Sequence, residues 1–290
     1  MGQGPTRLMD TDFNSPDILA NPSPAHFILI EPNQRMRPGY VPVEKRKDKR
    51  PMTLIEAWNE AIQRYFPNVP ASSLPFTVVE DKLEEAPIET IQCDCLVSPA
   101  NSFGIMDGAY DKVLSEVLTG PSGDFWTITD HVQSYLAQLC RGYLPPGSCI
   151  IVPLPKDVAG PLRLVPDPQG SHKDADGNPA RQYGNRAGAT SLAVLPTMRV
   201  PSNMEWHKDL VYNSMWSLMA EIEKWNREAK PKKKINKVVI TGLATGCGMI
   251  NVKKAGDQMV LAVRHFTNPA MVNPRWIQAD KRDDEVVAVY

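Results

Sequence analysis

No apolar run in the sequence approaches the roughly 18 residues that a membrane-spanning helix requires. The longest, such as Cys149 to Leu154, fall far short of it. Cysteine is sparse and scattered, with five residues in 290. An odd, dispersed set excludes a disulfide framework and points to a reducing, intracellular compartment, cytoplasmic or nuclear. Neither sign of charge dominates, because 32 Lys plus Arg face 33 Asp plus Glu for a formal charge of −1. Such a balance lacks the basic footprint of a nucleic-acid binder held by counterion release. The opening MGQGPTRLMDTD has no apolar core and does not read as a signal peptide. Its Gly2 and Thr6 do fit a myristoylation pattern, one short enough to arise by chance.

Proline is what the chain has in excess. It holds 27, against roughly 15 at the usual usage of about 5%, which suits a loop-rich domain and excludes a long helical bundle. Residues 1–25 are polar and aperiodic and read as an N-terminal arm; 26–290 read as a single domain. Six short apolar runs follow the arm: Phe27–Glu31, Phe76–Glu80, Asp94–Ser98, Ser148–Pro153, Ser191–Thr197 and Lys237–Gly242. Most are continuously apolar, as in strands covered on both faces. Helical spacing lies between them, over Thr53–Phe66, over Thr129–Leu139 with Thr129 as N-cap, and from about Glu205 to Ala229. A last helix follows the N-cap Asn251 and carries Ala255, Met259, Ala262 and Phe266. This alternation predicts a layered α/β domain. The stretch at about 154–190 reads as a long loop insertion, either a functional lid or a disordered excursion.

Two segments run from a buried strand straight into a small-residue loop and a helix: 94–118 and 237–259. Ligands of open α/β sheets bind outside the carboxyl ends of strands, where helix N-termini aim free N–H groups outward. In the second segment Gly242, Gly246 and Gly248 allow close backbone approach and an anion nest. The spacing fits neither a P-loop nor a dinucleotide fingerprint, and a plain glycine-rich turn stays open. In the first segment Asn101 stands at a strand end and suits a ribose diol. Asp107 and Asp111 follow it, and either carboxylate could simply favour a helix N-terminus.

These two loops resemble the macro domain family of ADP-ribose-binding proteins. The resemblance is carried by Val97-Ser98-Pro99-Ala100-Asn101, by Asp107-Gly108-Ala109-Tyr110-Asp111, and by Gly242-Leu243-Ala244-Thr245-Gly246-Cys247-Gly248 before the last helix. It spans roughly residues 26–268, and Pro196–Arg199 and Tyr212–Trp216 look like a little-studied fungal and bacterial subgroup. The resemblance implies a three-layer α/β/α macro domain-like fold with a mixed, about six-stranded central sheet. It also implies binding of ADP-ribose or a derivative, with hydrolysis at the distal ribose of ADP-ribose 1″-phosphate, O-acetyl-ADP-ribose or an ADP-ribosyl ester. A non-catalytic ADP-ribose reader is the alternative.

By the same resemblance Asn101 holds the distal ribose, and Gly104, Met106, Gly108 and the rest of the loop to Asp111 wrap that ribose and one phosphate. Ala244, Thr245, Gly246, Cys247, Gly248 and Met249 cradle the pyrophosphate, and Asp81 accepts from the adenine amino group. Asn101, Asp107 and Asp111 are the candidate catalytic residues. The chain departs from the family where a glycine triplet is reduced to Met106-Asp107-Gly108-Ala109 and where Gly248 replaces an aromatic. No metal or redox cofactor is implied; the expected partner is ADP-ribose or an ADP-ribosylated substrate, without membrane or nucleic acid.

Other groups carry less. Cys93 and Cys95 stand two apart, as on one face of a strand, without a nearby His or Cys to complete a zinc set. Cys247 reads as a space-filling thiol or a reactive one at a helix N-terminus. His26, His131, His172, His207 and His265 are too dispersed for a ligand motif. The basic runs 45–50 and 232–234 read as solvated surface, with a nuclear signal or RNA contact as the sharper alternative.

Overall fold

The computed structural model describes residues 25–32 and 51–290. Nearly all of the N-terminal arm, the myristoylation pattern and the basic run at 45–50 lie outside the described residues. All six expected strands form, and all six join one sheet. They are β1 (His26–Ile30), β2 (Phe76–Val79), β3 (Cys95–Ser98), β4 (Ile150–Pro153), β8 (Ser191–Val194) and β9 (Lys237–Ile240), in the order β2-β1-β9-β3-β8-β4. Every neighbouring pair is parallel except β4 with β8, so the sheet is mixed.

Strand residues alternate between two cores. Phe27, Leu29, Cys95, Val97, Val238 and Ile240 face one, while Ile28, Ile30, Leu96 and Val239 face the other. Helices α1 (Leu54–Tyr65), α5 (Leu210–Glu228) and α6 (Val252–Thr267) cover the first face. Helices α2 (Ile88–Ile91), α3 (Ala109–Val117) and α4 (Thr127–Cys140) cover the second. The result is a three-layer α/β/α fold. Cys93 and Cys95 do not share a face: Cys93 precedes β3, outside the strand's alternation, and packs in the opposite core.

Local chemistry sets the helix ends. Thr53 and Glu56 form a reciprocal capping box at α1, and Asn251 accepts from Lys253 N–H at α6. Helix α4 starts two residues before the expected cap, because the Thr129 hydroxyl instead accepts the N–H of Met106 at 3.2 Å. Helix α5 starts after Asp209 rather than near Glu205; the Asn203 carboxamide holds a turn there by accepting Glu205 N–H.

The stretch 154–190 is not a structureless loop. It folds into a three-stranded sheet of β5 (Arg163–Pro166), β6 (His172–Lys173) and β7 (Pro179–Tyr183), in the order β5-β7-β6. Asp174 accepts from Asp176 and Asn178 N–H to close its turn at the left-handed Gly177, and Arg181 pairs with Asp167 at 2.6 Å. A further helix, α7 (Trp276–Val287), follows α6. Among the described residues no helix is long and apolar enough to cross a membrane.

Candidate functional site

Strands β9 and β3 are parallel neighbours, so the loops leaving their carboxyl ends emerge side by side. The segment after β8 ties them together. Ser102 N–H donates to Met198 carbonyl at 3.0 Å, and Met204 N–H donates to Gly248 carbonyl at 2.8 Å. The site therefore has two loops and one connecting wall, all at the carboxyl edge of the sheet.

In the β9 loop, Met249 N–H closes on Gly246 carbonyl and Ile250 N–H on Ala244 carbonyl, both at 3.0 Å. The N–H groups of residues 244 to 248 find no acceptor among the described residues. Gly246 and Cys247 are exposed, and a side chain added at Gly246 would enter open space. Gly248 is there for a different reason: its Cβ would lie 2.5 Å from the Ala244 carbonyl oxygen. Ala244 (φ +56°) and Met249 (φ +58°) hold left-handed backbone without being glycine. Such a conformation costs an L-residue about 1–2 kcal/mol and tends to cluster where function requires it.

The β3 loop is folded by Asn101. Its Oδ1 accepts the N–H groups of Phe103 (3.1 Å) and Ile105 (3.3 Å), and its Nδ2 donates to Ile105 carbonyl at 2.7 Å. The carboxamide expected to hold a ribose is thus engaged in shaping its own loop. Gly104 (φ +66°) is buried against α4, where a Cβ would meet Val132 Cγ1 at 2.7 Å. Met106 is fully buried, and its carbonyl accepts Ser115 Oγ–H at 2.6 Å. Gly104 and Met106 thus anchor the loop from below, while Asp107 and Gly108 are exposed on top. Ala109 opens α3 with φ +50°, a third left-handed alanine or methionine at this edge. The N–H groups of residues 107 to 111 also lack an acceptor among the described residues.

The two aspartates differ sharply. Asp111 is buried in the first turn of α3 and accepts Ser98 Oγ–H at 2.6 Å. Burial pushes its carboxyl up to about 7; the Ser98 hydrogen bond opposes this and the charge of Asp107 adds to it. Asp107, exposed between Met106 and Gly108, is the carboxylate open to a ligand. Next to Asp111, the Tyr110 hydroxyl is buried without a hydrogen-bond partner among the described residues. Asp81 follows β2, two strands from β9 and so about 10 Å to the side at about 4.8 Å per strand. It accepts Lys82 N–H at 2.7 Å and is half-buried.

Three contributors escaped the sequence reading. Ser98 stood within a quoted strand, and a hydroxyl at the end of an otherwise apolar run is the signal that marks it. Thr241 donates to the buried Glu31 at 3.0 Å beneath the start of the glycine loop, joining the ends of β9 and β1. The 198–204 wall overlaps the distinctive Pro196–Arg199 stretch only at its start, and its role depends on contacts made across the fold. Cys93 and Cys95 are buried thiols raised by desolvation, whereas Cys247 is exposed in the glycine loop. No protein-family model matches the chain, and none of the curated proteins compared with it is similar to it.

Proposed function

We propose that the paired loops bind ADP-ribose or a derivative across its diphosphate and that the site hydrolyses a bond at the distal ribose. One observation carries the binding half. The N–H groups of residues 244 to 248, bracketed by left-handed Ala244 and Met249, and a second run at 107 to 111 are without acceptors among the described residues, on loops that leave the neighbouring strands β9 and β3. Two runs of free N–H groups at neighbouring strand ends suit two linked phosphates, and neither needs a lysine. The resemblance to macro domains at Asn101, Asp107–Asp111 and Gly242–Gly248 supports the same ligand.

Hydrolysis requires a group that takes a proton from water as its oxygen attacks, while the leaving oxygen departs with a proton. Asp107 has the exposure for that role. Asp111, buried and hydrogen-bonded to Ser98, ties the first turn of α3 to the end of β3. By the macro domain resemblance, Asp81, at the end of β2, would accept from the adenine amino group. The engagement of Asn101 and Asp111 within the protein favours a second reading, a reader that binds ADP-ribose without turnover.

Calorimetric titration with ADP-ribose, AMP, NAD and ATP tests the binding claim: ADP-ribose binds best, and no heat or thermal shift at millimolar concentration overturns it. Single-turnover assays on ADP-ribose 1″-phosphate and an ADP-ribosyl ester separate the two readings. Tight binding without turnover on either leaves the reader.

A further inference from the structure

The opposite end of the sheet carries a groove of its own. It has a volume of about 390 Å³ and lies where β3 and β9 begin, walled by α2, the root of the 154–190 insertion and the turn before β8. Its polar lining is Gln92, Asp94, Arg186 and Lys237; Ile88 and Leu162 supply exposed apolar wall.

The turn that presents Arg186 is rigidly held. The buried Asn185 side chain donates to the carbonyls of Val158 (2.9 Å) and Ala189 (2.8 Å) and accepts Ala189 N–H at 3.0 Å. Gly184 (φ +73°) leaves no room for a side chain, since its Cβ would fall 2.2 Å from Pro161 carbonyl oxygen. Cys93 N–H donates to Ala187 carbonyl at 2.9 Å and closes the turn onto the approach to β3. The Arg186 guanidinium is steered by one bond, Nη2 to Ala86 carbonyl at 2.8 Å. Its Nε is buried without a hydrogen-bond partner, and Nη1 finds no acceptor among the described residues.

The charges here do not cancel. Asp94 accepts the N–H groups of Asn236 (2.8 Å) and Lys237 (2.9 Å) through one carboxylate oxygen, fastening the start of β9. Among the described residues neither Asp94 nor Arg186 nor Lys237 makes an ion pair. Two cations thus face one carboxylate across a groove large enough for a small ligand. A planar guanidinium fixed on a rigid turn favours bidentate oxyanions, and a lysine adds a mobile point charge.

We infer that this groove is a second binding site, independent of the carboxyl-edge site, for a small phosphate monoester with an apolar body. Its phosphate meets Arg186 and Lys237, and its body lies against Ile88 and Leu162.

The test is titration of the full chain with phenyl phosphate, followed by amide NMR shifts. Saturable binding is expected, with shifts at residues 92–94 and 186–188. Lys237→Gln should weaken it at least about fivefold, the scale of a lost charge-assisted contact. That variant leaves the fold intact because the exposed lysine side chain makes no hydrogen bond or ion pair among the described residues. Arg186→Gln should weaken it at least as much, and Gly246→Val should leave it within about twofold. Inorganic phosphate should bind clearly more weakly; equal affinity would overturn the assignment to an organic phosphate. Absence of saturation at about 10 mM, or unchanged binding in Lys237→Gln, would overturn the site. Phenyl phosphate binding lost in Gly246→Val but kept in Lys237→Gln would assign it to the carboxyl edge, ending this inference while leaving the ADP-ribose proposal standing.

Discussion

Replacing Asp111 by asparagine removes one ionisation from the second core and leaves its shape nearly unchanged. In the folded chain burial raises this carboxyl from the ordinary 3.8 to about 7. Between pH 4 and 7 the unfolded chain therefore loses a proton that the folded chain keeps. The folded state binds more protons over that window, so this group makes stability fall as pH rises, and the loss is complete above about 7. At about 1.4 kcal/mol per pH unit the whole effect is about 4 kcal/mol. Asparagine keeps an acceptor for Ser98 Oγ–H, now 2.6 Å away, but brings an NH2 group whose unmet hydrogen bonds cost about 1–3 kcal/mol at every pH. The variant should therefore be less stable than wild type near pH 4 and equal or more stable at pH 8. Urea unfolding of both proteins at half-unit pH steps measures the difference and cancels every other titrating group. A difference that stays flat from pH 4 to 8 would refute the claim that Asp111 keeps its proton into the neutral range.

Gly246→Val should retain the fold and weaken ADP-ribose binding at least about tenfold, about 1.4 kcal/mol, by calorimetry; unchanged affinity would reduce the loop to a turn. Gly104→Ala should destabilise by about 2–4 kcal/mol in chemical denaturation, because a left-handed site and a 2.7 Å approach to Val132 both oppose a methyl group. Asp107→Ala should lower single-turnover hydrolysis by about 10²-fold while ADP-ribose affinity changes little; equal losses in both would make Asp107 a binding residue. Asn101→Ala should reduce binding and turnover together, and its loop amides should exchange faster with solvent, since three hydrogen bonds depend on that carboxamide.

What the chain reveals on inspection follows from burial. Most of the six central strands are readable because packing on both faces makes them continuous apolar runs; β3 and β8 are buried at every position. The small second sheet is not readable for the converse reason. Arg163–Pro166 and His172–Lys173 are exposed throughout, so no period of two is imposed on them. Helix α7 escapes likewise: WIQADKRDDEVV buries only Val286. Its attachment runs through Glu285, which pairs with Arg264 at 3.0 Å and His265 at 3.3 Å.

The site divides along the same line. Position was legible, because strand ends and glycines mark where a chain must turn, and both loops do lie at adjacent carboxyl ends. The work of each side chain was not, because hydrogen-bond partners are set by tertiary contact. Asn101 and Asp111 look alike in sequence, two polar residues after a buried strand, yet one folds a loop and the other is buried beside a serine with its carboxyl pushed up to about 7. Asp107 differs from both only in what fails to cover it. The same holds at the far end of the sheet. Arg186 lies in the 154–190 stretch that reads as loop, 92 positions from Asp94 at the start of an expected strand, and only the turn built on Asn185 places them across one groove. A fold of this kind offers two ends to ligands, and its sequence advertises the one with glycines.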